Sequence, residues 1–196
     1  MYDDLYGESY GENWYSIIPL AFLVSVVPLI VYGKMINLTG DYYKYWNATT
    51  TSLDFFSYYK AIWIIISLIL CTIVFGIKLF NKSIAIHKTK IYIPMIVYSA
   101  MVILSTVFSD FKEIALWGFV ERYEGMLIIL AYIAIMFITI NLVQNEVSIK
   151  GILIALICSA VIIGTIGIFQ YLGHDFYKSM SGKKLILPSQ YQNLAS

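Results

Sequence analysis

The chain has 196 residues, of which 60% are hydrophobic and only 13% are charged, and its formal net charge is +1. Soluble domains carry about 25% charged residues, so the composition excludes an ordinary soluble domain and indicates a membrane protein. The sequence contains no dinucleotide-binding fingerprint, no P-loop and no metal-ligand cluster, and two histidines are too few for a typical zinc site. We therefore expect no cofactor, no metal ion and no nucleic-acid partner.

Five stretches carry no charged side chain and are long enough to cross a bilayer: residues 13–33, 61–77, 91–109, 125–145 and 151–173. A transmembrane helix needs about 20 apolar residues to span a hydrocarbon core about 30 Å thick. We predict an all-α fold, a polytopic transmembrane helical bundle in one membrane domain. Its five spans are expected at about 14–33, 61–80, 91–108, 125–143 and 151–172, followed by a polar tail at 173–196.

The first span contains Pro19 and Pro28, which kink a transmembrane helix without excluding it. It is not expected to be a cleaved signal peptide, because acidic residues precede it and no basic residue occurs before Lys34. A signal peptide opens with a basic region. The two cysteines, Cys71 and Cys158, fall inside spans and are interpreted as small packing residues.

The connections between the spans differ in character. Residues 42–46 are aromatic and suit a headgroup interface, and residues 78–90 are basic and suit the headgroups of membrane lipid. Residues 110–124 are apolar enough to form a short interfacial helix. The turn at 144–150 is so short that the fourth and fifth spans are predicted to form an antiparallel hairpin.

Basic residues leave the orientation open. One side of the predicted topology holds five lysines and the other holds eight basic residues, which favours an N-terminus outside the cytoplasm by the positive-inside rule. The density of lysines in the 78–90 loop favours the opposite orientation.

The most specific local feature is the Glu-Arg-Tyr-Glu-Gly run at 121–125, which contains the only arginine of the chain and leads into the fourth span. The guanidinium of Arg122 matches the oxygens of a phosphate. The plainer alternative is an interfacial anchor whose charge is paired with Glu121 or Glu124.

This run resembles the early extracytoplasmic loop of bacterial O-antigen ligases and polymerase-like membrane proteins. Three other segments resemble that family: the Asp-Phe-Phe-Ser-Tyr-Tyr-Lys run at 54–60, the turn at Asn145 and Glu146, and the end of the fifth span at 164–173. The resemblance extends from about Leu53 to the C-terminus. It implies an N-terminus in the cytoplasm, which we adopt.

The resemblance implies a function in cell-envelope polysaccharide biosynthesis at the bacterial plasma membrane. Such glycosyltransferases move a glycan from a polyprenyl-diphosphate carrier to an acceptor on the outer face, without a metal. Arg122 is then expected to face the diphosphate. Family members have more spans than this chain, so the sequence is expected to be the N-terminal part of a longer protein, inactive alone, whose remaining half is a partner.

Further polar candidates lie at the end of the fifth span. Gln170 and His174 are candidate substrate-binding residues, and a histidine beside Asp175 can act as a base, although a wet helix terminus explains the same residues. The competing interpretation of the whole chain is a non-enzymatic membrane protein, such as a transporter half or an assembly partner. The predicted spans carry no ionisable group at mid-depth, which disfavours ion-coupled transport.

Overall fold

The computed structural model describes residues 14–45, 51–54 and 57–172. The chain forms two compact units, Met1–Ser159 and Ala160–Ser196, and the boundary between them falls within the last helix. The described residues are mostly helical. Their α-helices are α1 (Ile18–Ser25), α2 (Asp41–Tyr45), α3 (Ser57–Phe80), α4 (Tyr92–Val107), α5 (Lys112–Trp117), α6 (Met126–Leu142) and α7 (Glu146–Tyr171).

A short antiparallel hairpin, which the sequence analysis did not predict, interrupts the helical pattern. Strand β1 (Lys34–Asn37) pairs with β2 (Thr51–Asp54), so that Lys34 lies opposite Asp54 and Asn37 opposite Thr51. Two strands of four residues are too short for an alternating pattern to stand out from an aromatic, polar loop.

The predicted first span is not one continuous helix. Helix α1 begins beside Pro19, where a missing N–H costs nothing, and ends at Ser25. The ring of Pro28 would clash with the carbonyl of Val24 in a continued helix, and only a short 3₁₀ turn, Val27–Leu29, follows. Ile30 is already extended, so the chain leaves the helix and leads into β1.

Two helices are long and apolar enough to cross a membrane, namely Ser57–Phe80 and Glu146–Phe169, each of 24 residues. The other apolar helices, Ile18–Leu29, Tyr92–Val107 and Met126–Leu142, are shorter, between 10 and 17 residues. Length and composition thus support membrane association for two of the five predicted spans.

The core of the first unit forms where α3 contacts α1 and α6. The contact face of α3 repeats at helical spacing through Ile64, Ser67 and Cys71, all buried. Ser67 and Cys71 have small side chains, which let neighbouring helices approach closely. The apolar residues buried in this core are Leu20, Val27, Ile64, Cys71, Ala131, Ile135, Ile138 and Leu142.

Hydroxyl groups within the apolar helices are satisfied by their own backbone. Six Ser and Thr side chains donate to the carbonyl four residues earlier: Ser25, Thr72, Ser99, Thr106, Thr139 and Thr165. This arrangement removes an unpaired donor where no water is at hand. It is therefore compatible with helices surrounded by lipid.

Ser67 lacks such a partner, and this leads to a prediction. Its Oγ is fully buried and has no hydrogen-bond partner among the described residues. Replacing an unpaired buried hydroxyl with an apolar group is close to neutral or stabilising, so Ser67→Ala should unfold no earlier than the wild type. Ser67→Leu overfills the same contact and should cost about 1–3 kcal/mol. Thermal unfolding in detergent measures both, and a clear loss of stability in Ser67→Ala would contradict the packing described here.

The far end of α6 is held by one buried amide. Asn141 is fully buried, and its Oδ1 accepts from the backbone N–H of His87 at 2.8 Å and from the Tyr92 hydroxyl at 3.1 Å. Its Nδ2 donates to the Phe137 carbonyl at 2.8 Å. The basic loop between α3 and α4 is thereby tied to the C-terminal end of α6.

The hairpin predicted for the fourth and fifth spans is not packed tightly over the described residues of the first unit. Helix α6 packs against α3, α4 and α5, and these contacts occupy its faces. In that unit α7 exposes apolar side chains such as Val147, Leu153 and Ile154. The short connection itself is present, since α6 ends at Leu142 and α7 begins at Glu146.

Candidate functional site

Several loops meet at the end of the first unit where α3 begins. The hairpin, α2 and α5 lie there together with residues 118–125, which we call the Arg122 loop. The Tyr42 hydroxyl donates to the Gly118 carbonyl at 3.0 Å, and Ser52 Oγ donates to Glu121 Oε1 at 2.7 Å. Ser57 Oγ donates to the Glu121 carbonyl. The loop is therefore fixed to the hairpin and to the first turn of α3.

Asp54 holds the start of α3. Its side chain is buried, and its two carboxylate oxygens accept from the backbone N–H groups of Ser57 at 2.8 Å and Tyr58 at 3.2 Å. The first N–H groups of a helix lack partners within the helix and carry partial positive charge. A carboxylate at this place satisfies them and fixes where α3 begins relative to β2.

The two ends of the Arg122 loop are pressed together, backbone on backbone. A Cβ added at Gly118 would lie 2.4 Å from the Glu124 nitrogen, and one added at Gly125 would lie 2.3 Å from the Gly118 nitrogen. Gly118 also has a φ of 90°, in a region that only glycine adopts readily. The loop is thus closed by two glycines into a compact surface loop.

Arg122 lies at the tip of this closed loop between two residues in left-handed backbone conformation. Glu121 has a φ of 74° and Tyr123 a φ of 42°, which is uncommon for residues other than glycine. Strained backbone of this kind concentrates at functional sites. The hydrogen bonds of Glu121 to Ser52 and Ser57 hold this conformation in place.

Arg122 contributes to a cavity of about 210 Å³, which we call the charged cavity. Lys60 of α3 and Glu124 also line it, together with Ser57, Tyr123 and Tyr132. Among the described residues, no ion pair joins Arg122 to Glu121 or Glu124. The alternative of a paired interfacial anchor therefore has no support from the geometry.

A second cavity of about 320 Å³, the aromatic cavity, lies beside the first. Ala61, Tyr123 and Ile128 line both. The walls of the aromatic cavity carry four aromatic side chains, Tyr42, Tyr58, Trp117 and Tyr123, and its polar side chains include Asn37, Thr39 and Glu113. The two cavities thus form adjoining compartments of opposite polarity.

The tyrosines at this site are hydrogen-bond donors and packing groups, not bases. Burial, and then the Asp54 carboxylate and the neighbouring Tyr42 and Tyr58, raise the pKa of Tyr123 far above its ordinary value. Burial and the Glu113 carboxylate likewise raise the pKa of Tyr42. Both phenols are therefore protonated at neutral pH. The Tyr58 ring meets Tyr123 edge-on, with 5.5 Å between ring centroids, and Lys34 Nζ lies 3.3 Å from the Tyr58 centroid.

The sequence-predicted site residues have different outcomes. Glu121, Arg122 and Glu124 lie in one loop, with Glu121 turned to the hairpin and the other two lining the charged cavity. Gln170 is helical and belongs to the second unit. His174 and Asp175 lie outside the described residues. In the described part of the chain, no three histidine, cysteine or acidic side chains are grouped as metal ligands.

Sequence reasoning missed Lys60 as a cavity residue and Asp54 as a helix cap. The cap had a local signal, an acidic residue just before a long apolar run. The pair Gly118 and Gly125, which flanks the charged loop, was a signal for a closed turn. Lys60 had no such signal, because its place beside Arg122 depends on the packing of α3 against the loop.

Comparison of the chain with protein-family models, with curated proteins and with solved structures found no match. The function is therefore argued from the cavities and the loop that forms them.

Proposed function

We propose that this chain is a multi-pass protein of the bacterial plasma membrane with five spans and a cytoplasmic N-terminus. Its support is the five charge-free stretches, the two helices of spanning length and the back-bonded hydroxyls. The loops also fall at alternate ends: the hairpin contacts the Arg122 loop, whereas the basic loop contacts the opposite end of α6.

Cysteine labelling tests this topology. In a background with Cys71 and Cys158 replaced by alanine, we expect a membrane-impermeant maleimide to label Asp110→Cys in intact cells and to miss Ser83→Cys until the cells are opened. The reason is that an odd number of spans separates the two positions, one span between Ser83 and Asp110. Labelling of Ser83→Cys from outside would reverse the orientation, and labelling of both would remove the third span.

We infer further that the chain belongs to a glycan ligase or polymerase and binds a polyprenyl-diphosphate-linked glycan at the outer face. The observation that carries this is the charged cavity, where Arg122 and Lys60 line one wall system at the mouth of α3 and α6. Two cations suit a diphosphate, and the guanidinium offers a paired donor geometry that a lysine lacks. The resemblance of the 121–125 run to O-antigen ligases supports the same assignment.

The proposed chemistry is a metal-independent transfer of the glycan to an acceptor hydroxyl. The acceptor oxygen forms a bond to the anomeric carbon as the bond to the diphosphate oxygen breaks, and the diphosphate leaves with added negative charge. Arg122 and Lys60 stabilise that charge in a site poor in water. A base must take the acceptor proton, and Glu124 is the carboxylate that lines the charged cavity.

Substitution of Arg122 tests the assignment. In the purified full chain in lipid nanodiscs, Arg122→Ala should weaken binding of a polyprenyl diphosphate by roughly 10- to 100-fold, because a hydrogen bond to a charged group contributes about 1.5–3 kcal/mol. Arg122→Lys should recover only part of the affinity. Lys88→Ala, an exposed cation of the basic loop, is the matched control and should bind normally.

Two outcomes would contradict the assignment. Wild-type affinity in both Arg122 variants would reduce this residue to an interfacial anchor, and equal losses in Arg122→Ala and Lys88→Ala would indicate nonspecific attraction between cations and anionic lipid. In cells, the assignment also predicts accumulation of lipid-linked glycan in Arg122→Ala at matched membrane expression.

The second candidate is a non-enzymatic assembly partner. It is favoured by the broad apolar exposure of α4, where Ile93, Ile96 and Met101 are each about two-thirds exposed at 65%, 67% and 65%. Such a face packs against lipid in the first proposal and against another membrane protein in the second. Co-purification of one stoichiometric membrane partner, with no diphosphate binding, would favour this candidate.

A further inference from the structure

We propose that the aromatic cavity holds the part of a prenyl chain nearest to the diphosphate, so that the site recognises the lipid carrier and not only its phosphates. This inference rests on the proposed function. It assigns the second cavity to the lipid and leaves the charged cavity for the head.

The wall that α3 gives to the aromatic cavity is one apolar stripe. Tyr58, Ala61, Ile62 and Ile65 line it, and their spacing of three, four and seven residues places them on one helix face. Ile65 lies eight residues after Ser57 along the helix, which corresponds to about 12 Å at 1.5 Å per residue. The cavity thus runs from the loops toward the apolar part of a helix that is long enough to span a bilayer.

The two cavities are arranged as an amphiphile requires. They share Ala61, Tyr123 and Ile128 as walls, so a head bound by Arg122 and Lys60 would place the first carbons of its chain at the mouth of the aromatic cavity. The anionic head matches the cations of one cavity, and the apolar chain matches the isoleucines of the other. Neither match requires movement of the backbone.

A sugar ring suits the aromatic cavity less well. Its polar side chains include Asn37, Thr39 and Glu113, whereas Ile36, Leu38 and Val120 add to the apolar walls. Sugar hydroxyls placed against these aliphatic groups would lose their hydrogen bonds to water without replacement, which is costly. A hydrocarbon chain gains free energy in the same place, roughly 0.8 kcal/mol per buried methylene in general.

Filling the cavity tests the proposal. Binding is measured on the full chain in nanodiscs with three probes: farnesyl diphosphate, dimethylallyl diphosphate and inorganic diphosphate. The wild type should bind farnesyl diphosphate more tightly than inorganic diphosphate. Ile62→Trp should weaken farnesyl diphosphate by about tenfold or more, because a filled cavity excludes the chain, and should leave inorganic diphosphate unchanged. Ile69→Trp, at an exposed position of the same helix, is the matched control and should leave all three unchanged.

A second measurement needs no substitution. A farnesyl diphosphate that carries a photoreactive diazirine on its first isoprene unit should label the wild-type chain on the α3 stripe at Tyr58, Ala61, Ile62 or Ile65. Labelling confined to exposed positions of α4 or α7 would overturn the proposal. This readout holds even where Ile62→Trp fails to fold.

The remaining outcomes separate the possible failures. Equal competition by phosphatidic acid would show a general acyl-chain site, and competition by a free sugar that Ile62→Trp abolishes would show a sugar subsite, and either result overturns the prenyl assignment. Unchanged chain preference in Ile62→Trp, with loss of all diphosphate binding in Arg122→Ala, overturns this inference alone. No diphosphate binding by the wild type overturns the proposed function as well.

Discussion

Alanine at Gly118 or Gly125 will open the Arg122 loop and markedly destabilise the first unit. Each added Cβ meets backbone atoms at 2.4 Å or 2.3 Å, closer than any relaxed contact, and backbone cannot rotate away as a side chain does. Overpacking of this kind costs about 1–3 kcal/mol. At Gly118, with a φ of 90° and a ψ of 170°, the conformation itself adds about 1–3 kcal/mol for any other residue.

We therefore expect the order of stability to be wild type, then Gly125→Ala, then Gly118→Ala, by thermal unfolding of the purified chain in detergent. Gly76→Ala is the matched control, since a Cβ there meets nothing within 4 Å and alanine favours a helix by about 0.5–1 kcal/mol. The control should be neutral or slightly stabilised. Equal stability of all three variants would mean that the ends of the loop are not in contact.

The second large effect is expected at Asp54. Asp54→Ala removes two hydrogen bonds to the first turn of α3 and the negative charge beside the helix N-terminus, which together should cost about 2–3 kcal/mol. Asp54→Asn keeps one acceptor oxygen and should lose about half of that. The Ala variant should also release the contact between β2 and α3, because the carboxylate belongs to the strand and its partners to the helix.

Two measurements check this prediction. Unfolding in detergent gives the stability order, with Asp110→Asn, an exposed acidic residue, as the control that should behave as the wild type. Spectrophotometric titration should show a lower pKa for Tyr123 in Asp54→Asn, because the Asp54 carboxylate is one cause that raises it. An unchanged tyrosine titration, or stability equal to the control, would contradict the position of this carboxylate.

The long helices could be predicted from the sequence because each apolar run ends at charged or helix-breaking residues. Predicted spans at 91–108 and 125–143 correspond to Tyr92–Val107 and Met126–Leu142. Helix α3 begins earlier than predicted because Asp54 caps it. Helix α7 begins earlier because Glu146 and Lys150, 3.1 Å apart, form a pair on its first turns that suits the helix.

The first stretch and the site show where the sequence was insufficient. Hydropathy does not register that Pro28 cannot follow Val24 in a helix, so the break after Ser25 was missed. Arg122 and Glu124 were found because they are neighbours in the chain. The contacts that shape their loop join residues 64 to 76 positions apart, and no local pattern reports such a contact.

The unequal lengths of the helices have a consequence for the surrounding bilayer. Helices α4 and α6, of 16 and 17 residues, extend about 24–26 Å at 1.5 Å per residue, less than a hydrocarbon core of about 30 Å. If both cross the membrane, lipid must thin locally on their side of α3, at a cost of fractions of a kcal/mol per Å of mismatch. The protein should therefore partition into thin membranes, and its unfolding temperature should fall as the acyl chains of the host lipid lengthen.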